Sequence, residues 1–189
     1  MNEDGHEEDE INCRPAVISL DDPHALQSAL SPSFCQYCAH AAAYCLDHNE
    51  VATGAVLMVD GERDARIAVE WNPVTDEIKR THADSQEATE FGAYAIAMGI
   101  VPRLTDLRVV ERSRKGPGFD FWLGDKTSLD PLFQGKARLE VSGILKGGDS
   151  EIRRRVHEKL DQLTPSDGRL PGWVVVVEFG APRSRMVKK

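Results

Sequence analysis

A chain of 189 residues with 41% hydrophobic residues can bury one sizeable core, and no stretch approaches the roughly 18 apolar residues that a membrane span needs. The net charge of −8 argues against a strongly basic nucleic-acid-binding protein, yet six acids lie in residues 1–10, which leaves −2 for the rest. We expect a cytoplasmic protein without a membrane partner. Residues 1–20 are predicted to be an acidic, disordered tail and linker.

Residues 21–82 are predicted to form an N-terminal extension made of a helix and a β-hairpin. Helical character runs from Pro23 to Asn49, with a break near Ser31-Pro32. Two apolar runs within residues 53–71 flank Asp60-Gly61, a dipeptide that is typical of hairpin turns.

Cysteines in this extension raise the question of a zinc site. On a continuous helix, Cys35 and His48 would stand about 20 Å apart along the axis, too far to share one ion. Cys38 and Cys45 fall on one helix face and are interpreted as core thiols. We therefore expect no zinc.

From residue 83 onward the pattern predicts a helix, three strands, a helix and a strand. The first helix covers 83–99 and is ended by Pro102; the strands cover 104–110, 119–123 and 138–145, followed by a helix at 151–163 and a strand at 173–179. This order predicts a mixed α/β fold, with a central mixed sheet flanked by helices, that forms one compact domain with 21–82. The basic residues Arg183–Lys189 are predicted to be a tail that promotes polyanion binding.

Two isolated acids, Asp120 and Glu140, each interrupt a short apolar run. Burying a carboxylate costs free energy unless a cation or hydrogen bonds compensate its charge. A shared Mg²⁺ or Mn²⁺ site on adjacent strands, with carboxylates roughly 4–7 Å apart, would provide that compensation. The pattern therefore favours a metal-dependent phosphodiesterase.

The order of elements, with Gly-Phe-Asp-Phe-Trp-Leu on the second strand and Arg-Leu-Glu-Val-Ser on the third, resembles the PD-(D/E)XK nuclease superfamily, the restriction-endonuclease-like fold. The resemblance covers about residues 83–180. It implies that Asp120 and Glu140 bind the metal and that Glu87 or Glu90 serves as an acid on the first helix. It also implies an Mg²⁺- or Mn²⁺-dependent endonuclease acting on DNA or RNA, in defence against foreign nucleic acid.

The chain departs from the family at one catalytic position. The family carries a Lys two residues after the Glu, and this chain has Ser142 there. The cation must then come from elsewhere, and Lys136 shares the strand parity of Glu140. The candidates for this cation are Lys115, Lys136 and Lys146, with Arg138 as a weaker one. The residues predicted to contact substrate are Arg112, Arg114, Lys115 and Ser142.

Structural alternatives remain open for these residues. Glu87 and Glu90 lie in the first turns of a helix, where the helix dipole favours acids. Glu140 could pair with Arg138 on one strand face, and the basic turn at residues 112–116 could simply be solvated. A second function also remains open: a catalytically inactive module of this fold that binds a protein partner, a second copy of itself or nucleic acid. The two functions differ in whether a Lys ammonium reaches Asp120 and Glu140.

Overall fold

The computed structural model describes residues 16–114, 116, 118–127, 136–164 and 170–189. Within these residues, eight strands form one mixed sheet in the order β1-β3-β2-β8-β7-β6-β5-β4. The strands are β1 Ala16–Ser19, β2 Ala55–Gly61, β3 Ala65–Glu70, β4 Leu107–Arg112, β5 Phe121–Asp125, β6 Ala137–Ile144, β7 Gly172–Glu178 and β8 Arg183–Lys188. The pairs β1/β3, β2/β8 and β6/β7 are parallel, and the other neighbours are antiparallel.

The helices are α1 Pro32–His48, α2 Asp76–Thr81, α3 Ser85–Leu104 and α4 Asp149–Gln162, with a short 3-10 helix at Pro23–Leu26. Asp84 caps α3, because its side chain accepts hydrogen bonds from the N–H groups of Gln86 and Glu87. None of the described helices has the length and hydropathy to cross a bilayer.

The sheet separates two hydrophobic clusters. On β7, Val175 and Val177 face the larger cluster, which is completed by α1 and α3, whereas Val174 and Val176 face a smaller one that includes Ile152 of α4. Helices on both faces explain why β7 is an almost continuous apolar run. The mixed α/β class is confirmed, and the order helix, three strands, helix, strand is observed from Ser85 to Glu178.

The predicted break near Ser31-Pro32 is confirmed, since α1 starts at Pro32 after the N-cap Ser31. Three details of the predicted elements are wrong. Residues 16–19, predicted to belong to a disordered tail and linker, form β1, which pairs with β3. Helix α3 continues through Pro102 to Leu104, because a proline this close to the end removes only one backbone hydrogen bond and its ring is buried.

The third error concerns the basic C-terminal segment. Arg183–Lys188 form β8 between β2 and β7 instead of a tail. Ser184 and Met186 are buried, while Arg183 and Arg185 alternate with them, so the basic residues mask a strand pattern. The predicted acidic tail at residues 1–10 and the candidate Lys115 lie outside the described residues.

Candidate active site

Asp120 immediately precedes the first residue of β5, and the neighbouring strand β6 extends beyond this point. Strand β5 begins at Phe121, which pairs with Leu139. The N–H of Asp120 donates to the Leu139 carbonyl at 3.0 Å, and Asp120 Oδ2 accepts from the Val141 N–H at 2.8 Å. The Asp120 carboxylate thus accepts the β6 hydrogen bond that a backbone carbonyl would accept if β5 continued. This places the carboxyl of Asp120 next to that of Glu140.

The carboxyls of Asp120 and Glu140 interact directly. Burial, followed by the negative charge of Asp120, raises the pKa of Glu140 to about 8. Burial also raises the pKa of Asp120, although hydrogen bonds from Val141 and Tyr94 act in the opposite direction. Two buried carboxylates this close repel each other, so the pair favours a proton or a cation between them. The structure brings together the two acids that the sequence singled out; their role as metal ligands stays a prediction.

The two oxygens of Glu140 differ in their partners. Oε1 accepts a hydrogen bond from Lys159 Nζ at 2.5 Å. Oε2 is buried and receives no donor from the described part of the chain. A buried polar atom without a partner costs about 1–3 kcal/mol, more when it is charged, so this oxygen favours binding a proton or a cation.

Glu90 of helix α3 is linked to Asp120 through the hydroxyl of Tyr94. The Tyr94 hydroxyl lies 2.8 Å from Glu90 Oε1 and 3.1 Å from Asp120 Oδ1. A phenol carries one proton, so it donates fully to one of these carboxyls at a time. Glu90 therefore reaches the site through Tyr94.

Gly143 allows α3 to approach β6 this closely. A Cβ at this position would lie 2.3 Å from the carbonyl oxygen of Thr89, a contact that no side chain could relieve. Thr89 precedes Glu90 on α3. The glycine on β6 therefore sets the distance at which the α3 acid meets the carboxylate pair.

Helix α4 lies over β6 in a fixed register. Arg155 Nη1 donates to Ser142 Oγ at 3.1 Å, Lys159 donates to Glu140, and Arg138 Nη1 donates to the Leu163 carbonyl at 3.1 Å. Four residues of helix rise about 6 Å, and two residues of strand span about 6.6 Å. Because α4 runs antiparallel to β6 after the crossover, each step of one turn on α4 matches one step of two residues on β6.

Two other predicted residues lie elsewhere. Lys136 does not supply the cation, because its ammonium bonds to Asp125 at 3.0 Å, at the opposite end of β5 from Asp120. Glu87 accepts a hydrogen bond from the Tyr37 hydroxyl of α1 at 3.1 Å and does not line the recesses around the carboxylates.

The third predicted cation also lies away from the pair. Lys146 packs beside Gly180, in the turn between β7 and β8. The ammonium at the carboxylates is that of Lys159, which the sequence analysis did not select. Arg138 donates to the carbonyls of Leu163 and Leu170, and the ammonium partner of Glu140 is Lys159.

Two recesses meet at the carboxylate pair. One, of about 470 Å³, extends toward Arg155 and the first turns of α3. The other, of about 380 Å³, is lined by Arg112 and Arg114 of the predicted basic turn. The Arg112 guanidinium also stacks over the Phe34 ring, 5.1 Å from its centroid.

A larger cavity, of about 750 Å³, lies between β2, β8 and α4. Charged side chains in its wall compensate one another: Arg183 pairs with Asp149, and Arg185 pairs with Asp60 at 3.5 Å. It contains neither acid of the pair, so the smaller recesses are the better candidate site.

The sequence carried a weak signal for the residues that were missed. Arg155 and Lys159 flank the apolar positions Ile152 and Val156 of α4 and are half-buried. A basic residue beside an apolar stripe can extend its stem over the core and reach a buried acid. The sequence does not reveal which acid, because that depends on where the helix lies over the sheet.

Comparison with protein-family models, with curated proteins and with solved structures gives no match to the chain. The site must therefore be judged by its own chemistry. Mg²⁺ and Mn²⁺ prefer oxygen ligands, and Mg²⁺ usually keeps several waters beside one or two protein carboxylates. Asp120 and Glu140, with the unpartnered Oε2, fit such an ion. The described residues contain no group of three or more His, Cys, Asp and Glu that could hold a metal by itself.

Proposed function

We propose that the protein is a metal-dependent nuclease that hydrolyses phosphodiester bonds in DNA or RNA, with Asp120 and Glu140 as the ligands of Mg²⁺ or Mn²⁺. One observation carries this proposal: in the buried carboxylate pair, Glu140 Oε2 has no donor among the described residues, while Glu140 Oε1 accepts from the Lys159 ammonium at 2.5 Å. This arrangement lowers the stability of the free protein, and such costs are concentrated at functional sites.

Each residue has a distinct task in this proposal. The bound ion would polarise the phosphoryl group and lower the pKa of a water molecule. The Lys159 ammonium stabilises the negative charge that develops on the phosphate, so it takes the place of the Lys that the resembled family carries two residues after its Glu. Tyr94 orients Asp120 by hydrogen bonding, and Glu90 accepts the same proton when Asp120 does not.

The test compares Lys159→Ala with Lys136→Ala, which remove the same charge from different places. The wild-type protein should cleave linear DNA or RNA in Mn²⁺ and stop when EDTA is added. Asp120→Asn and Lys159→Ala should each lower the rate about 10²–10³-fold, the usual effect of removing one electrostatic stabiliser. Lys136→Ala should stay near the wild-type rate. Cleavage that survives EDTA or Asp120→Asn would refute the mechanism.

One observation favours the binding-only alternative. Among the described residues no group of three or more His, Cys, Asp and Glu could hold a metal, and Lys159 already compensates one of the two carboxylates. A module of this kind would bind oligonucleotides without cleaving them in Mg²⁺ or Mn²⁺. Its binding would also persist in Asp120→Asn, whereas a nuclease would lose its metal-dependent turnover.

A further inference from the structure

Arg155 enters the recess on the α4 side of the carboxylates. Its Nη1 donates to Ser142 Oγ, and its Nε lies 3.7 Å from Glu158 Oε2 without a hydrogen bond to any described residue. Its side chain is 31% exposed. A guanidinium has five N–H donors, and three of those of Arg155, one on Nη1 and two on Nη2, have no partner among the described residues, whereas its Nε is buried.

Ser142 gives this guanidinium a fixed direction. The serine is buried on β6, two residues beyond Glu140, and its hydroxyl accepts the Arg155 hydrogen bond. Arg155 and Lys159 are one turn apart on α4, which separates them by about 6 Å along the axis. A cation with free donors therefore lies one helical turn from the ammonium at the carboxylates.

We propose that Arg155, oriented by Ser142, forms a second phosphate subsite, so that the site accepts a polynucleotide chain and not merely a single phosphodiester. This inference rests on the proposed function. The phosphate at the carboxylates is the one that reacts, and the neighbouring phosphate of the same strand binds Arg155. Arginine suits this task because its planar fork can bind two phosphate oxygens together.

The opposite recess allows the strand to continue. Arg112 and Arg114 line it, and it shares Asp120 and Glu140 with the Arg155 recess. Cations thus lie on both sides of the carboxylate pair. A strand that crosses the pair has phosphates within reach of both sets, which favours cleavage within a chain over release of a terminal nucleotide.

The experiment compares Arg155→Ala with Arg153→Ala, a matched loss of one positive charge on the same helix. Arg153 faces the cavity between β2, β8 and α4. Binding of a fluorescein-labelled 20-nucleotide strand, as DNA and as RNA, is measured in Ca²⁺ over a range of salt concentrations. Hydrolysis of bis(p-nitrophenyl) phosphate, which has one phosphodiester group, is measured in Mn²⁺.

Arg155→Ala should weaken strand binding about tenfold and reduce the salt slope by about one, while Arg153→Ala changes both much less. In Arg155→Ala, hydrolysis of the single diester should fall much less than strand binding. Equal effects of the two variants on strand binding, or an equal loss of diester hydrolysis and strand binding in Arg155→Ala, would overturn the subsite and leave the nuclease proposal intact. A wild-type protein that binds strands through Arg155 but hydrolyses no diester would support the subsite and refute the nuclease. Absence of strand binding by the wild-type protein would overturn the subsite.

Discussion

Glu140 and Glu178 lie on neighbouring strands and are each 1% exposed, yet their partners differ. Glu178 Oε1 accepts from the N–H groups of Gly147 and Gly180 at 3.1 and 2.7 Å, and Oε2 accepts from Ala181 at 3.0 Å. Both of its oxygens therefore have donors.

Glu140, in contrast, has one ammonium on Oε1, and its Oε2, next to the acid Asp120, has no donor among the residues that the structure describes. Glu178 ties the segment before α4 to the turn after β7, which is a structural task. The comparison teaches that burial does not distinguish a functional acid from a structural one. The balance between acceptors and donors does.

The largest expected effect is on Glu178. Glu178→Gln replaces a charged acceptor by an amide that presents N–H donors to N–H donors, so the free energy of unfolding should fall by about 2–4 kcal/mol. Glu140→Gln should cost much less, because Lys159 keeps an acceptor and the repulsion with Asp120 disappears. Urea unfolding of both variants at pH 8 measures the difference. Similar losses of unfolding free energy in the two variants would contradict the difference drawn between Glu178 and Glu140.

A second effect concerns pH. The folded-state pKa of Glu140 lies above its unfolded value, at about 8, so its stabilising contribution is complete below pH 4.5 and is lost as the pH rises toward 8. One such group changes the free energy of unfolding by at most about 1.4 kcal/mol per pH unit. Urea unfolding of the wild type without divalent ions should show this decline between pH 5 and pH 8.

Glu140→Gln is the control for this pH effect and should show a flatter profile, because it has no proton to lose. A divalent ion competes with the same proton, so Mn²⁺ should bind the wild type more tightly as the pH rises toward 8. Calorimetric titration at pH 6 and pH 8 measures this change. An Mn²⁺ affinity that does not change with pH would show that the ion does not bind at the carboxylate pair.

The smallest expected effect is that of the Tyr94 hydroxyl. Tyr94→Phe should change the free energy of unfolding by only about 1 kcal/mol. It should also weaken Mn²⁺ binding at neutral pH. The hydrogen bond from Tyr94 lowers the pKa of Asp120, so without it the pKa rises and a proton competes better with the ion. The matched control is Tyr37→Phe, whose hydroxyl donates to Glu87. Calorimetry should find its Mn²⁺ affinity unchanged; an equal loss would place Glu87 in the site.

Local pattern predicted the elements of this fold better than it predicted the partners of its charges. The apolar run of β7 and the capped start of α3 are visible because each depends on neighbours in sequence. The same rule that selected Glu140, an acid in an apolar run, applies equally to Glu178. Their difference comes from backbone N–H groups in two turns, which have no sequence signature.

Long-range geometry also explains why Lys159 was missed and Lys136 was preferred. Strand parity placed Lys136 on the face of Glu140, but its ammonium has a nearer acid in Asp125. Lys159 is nineteen residues beyond Glu140 and reaches it only because the crossover brings α4 back over β6.

The register between α4 and β6 makes the length of residues 145–148 decisive. One residue inserted there would turn the helix by about 100° relative to the strand, unless the segment absorbed it. The contacts of Arg155 and Lys159 with Ser142 and Glu140 would then be lost together, although no charged residue had changed. The cation of this site is thus specified by a connection length, so a search for fixed linear spacings of acid and lysine would pass over proteins built in this way.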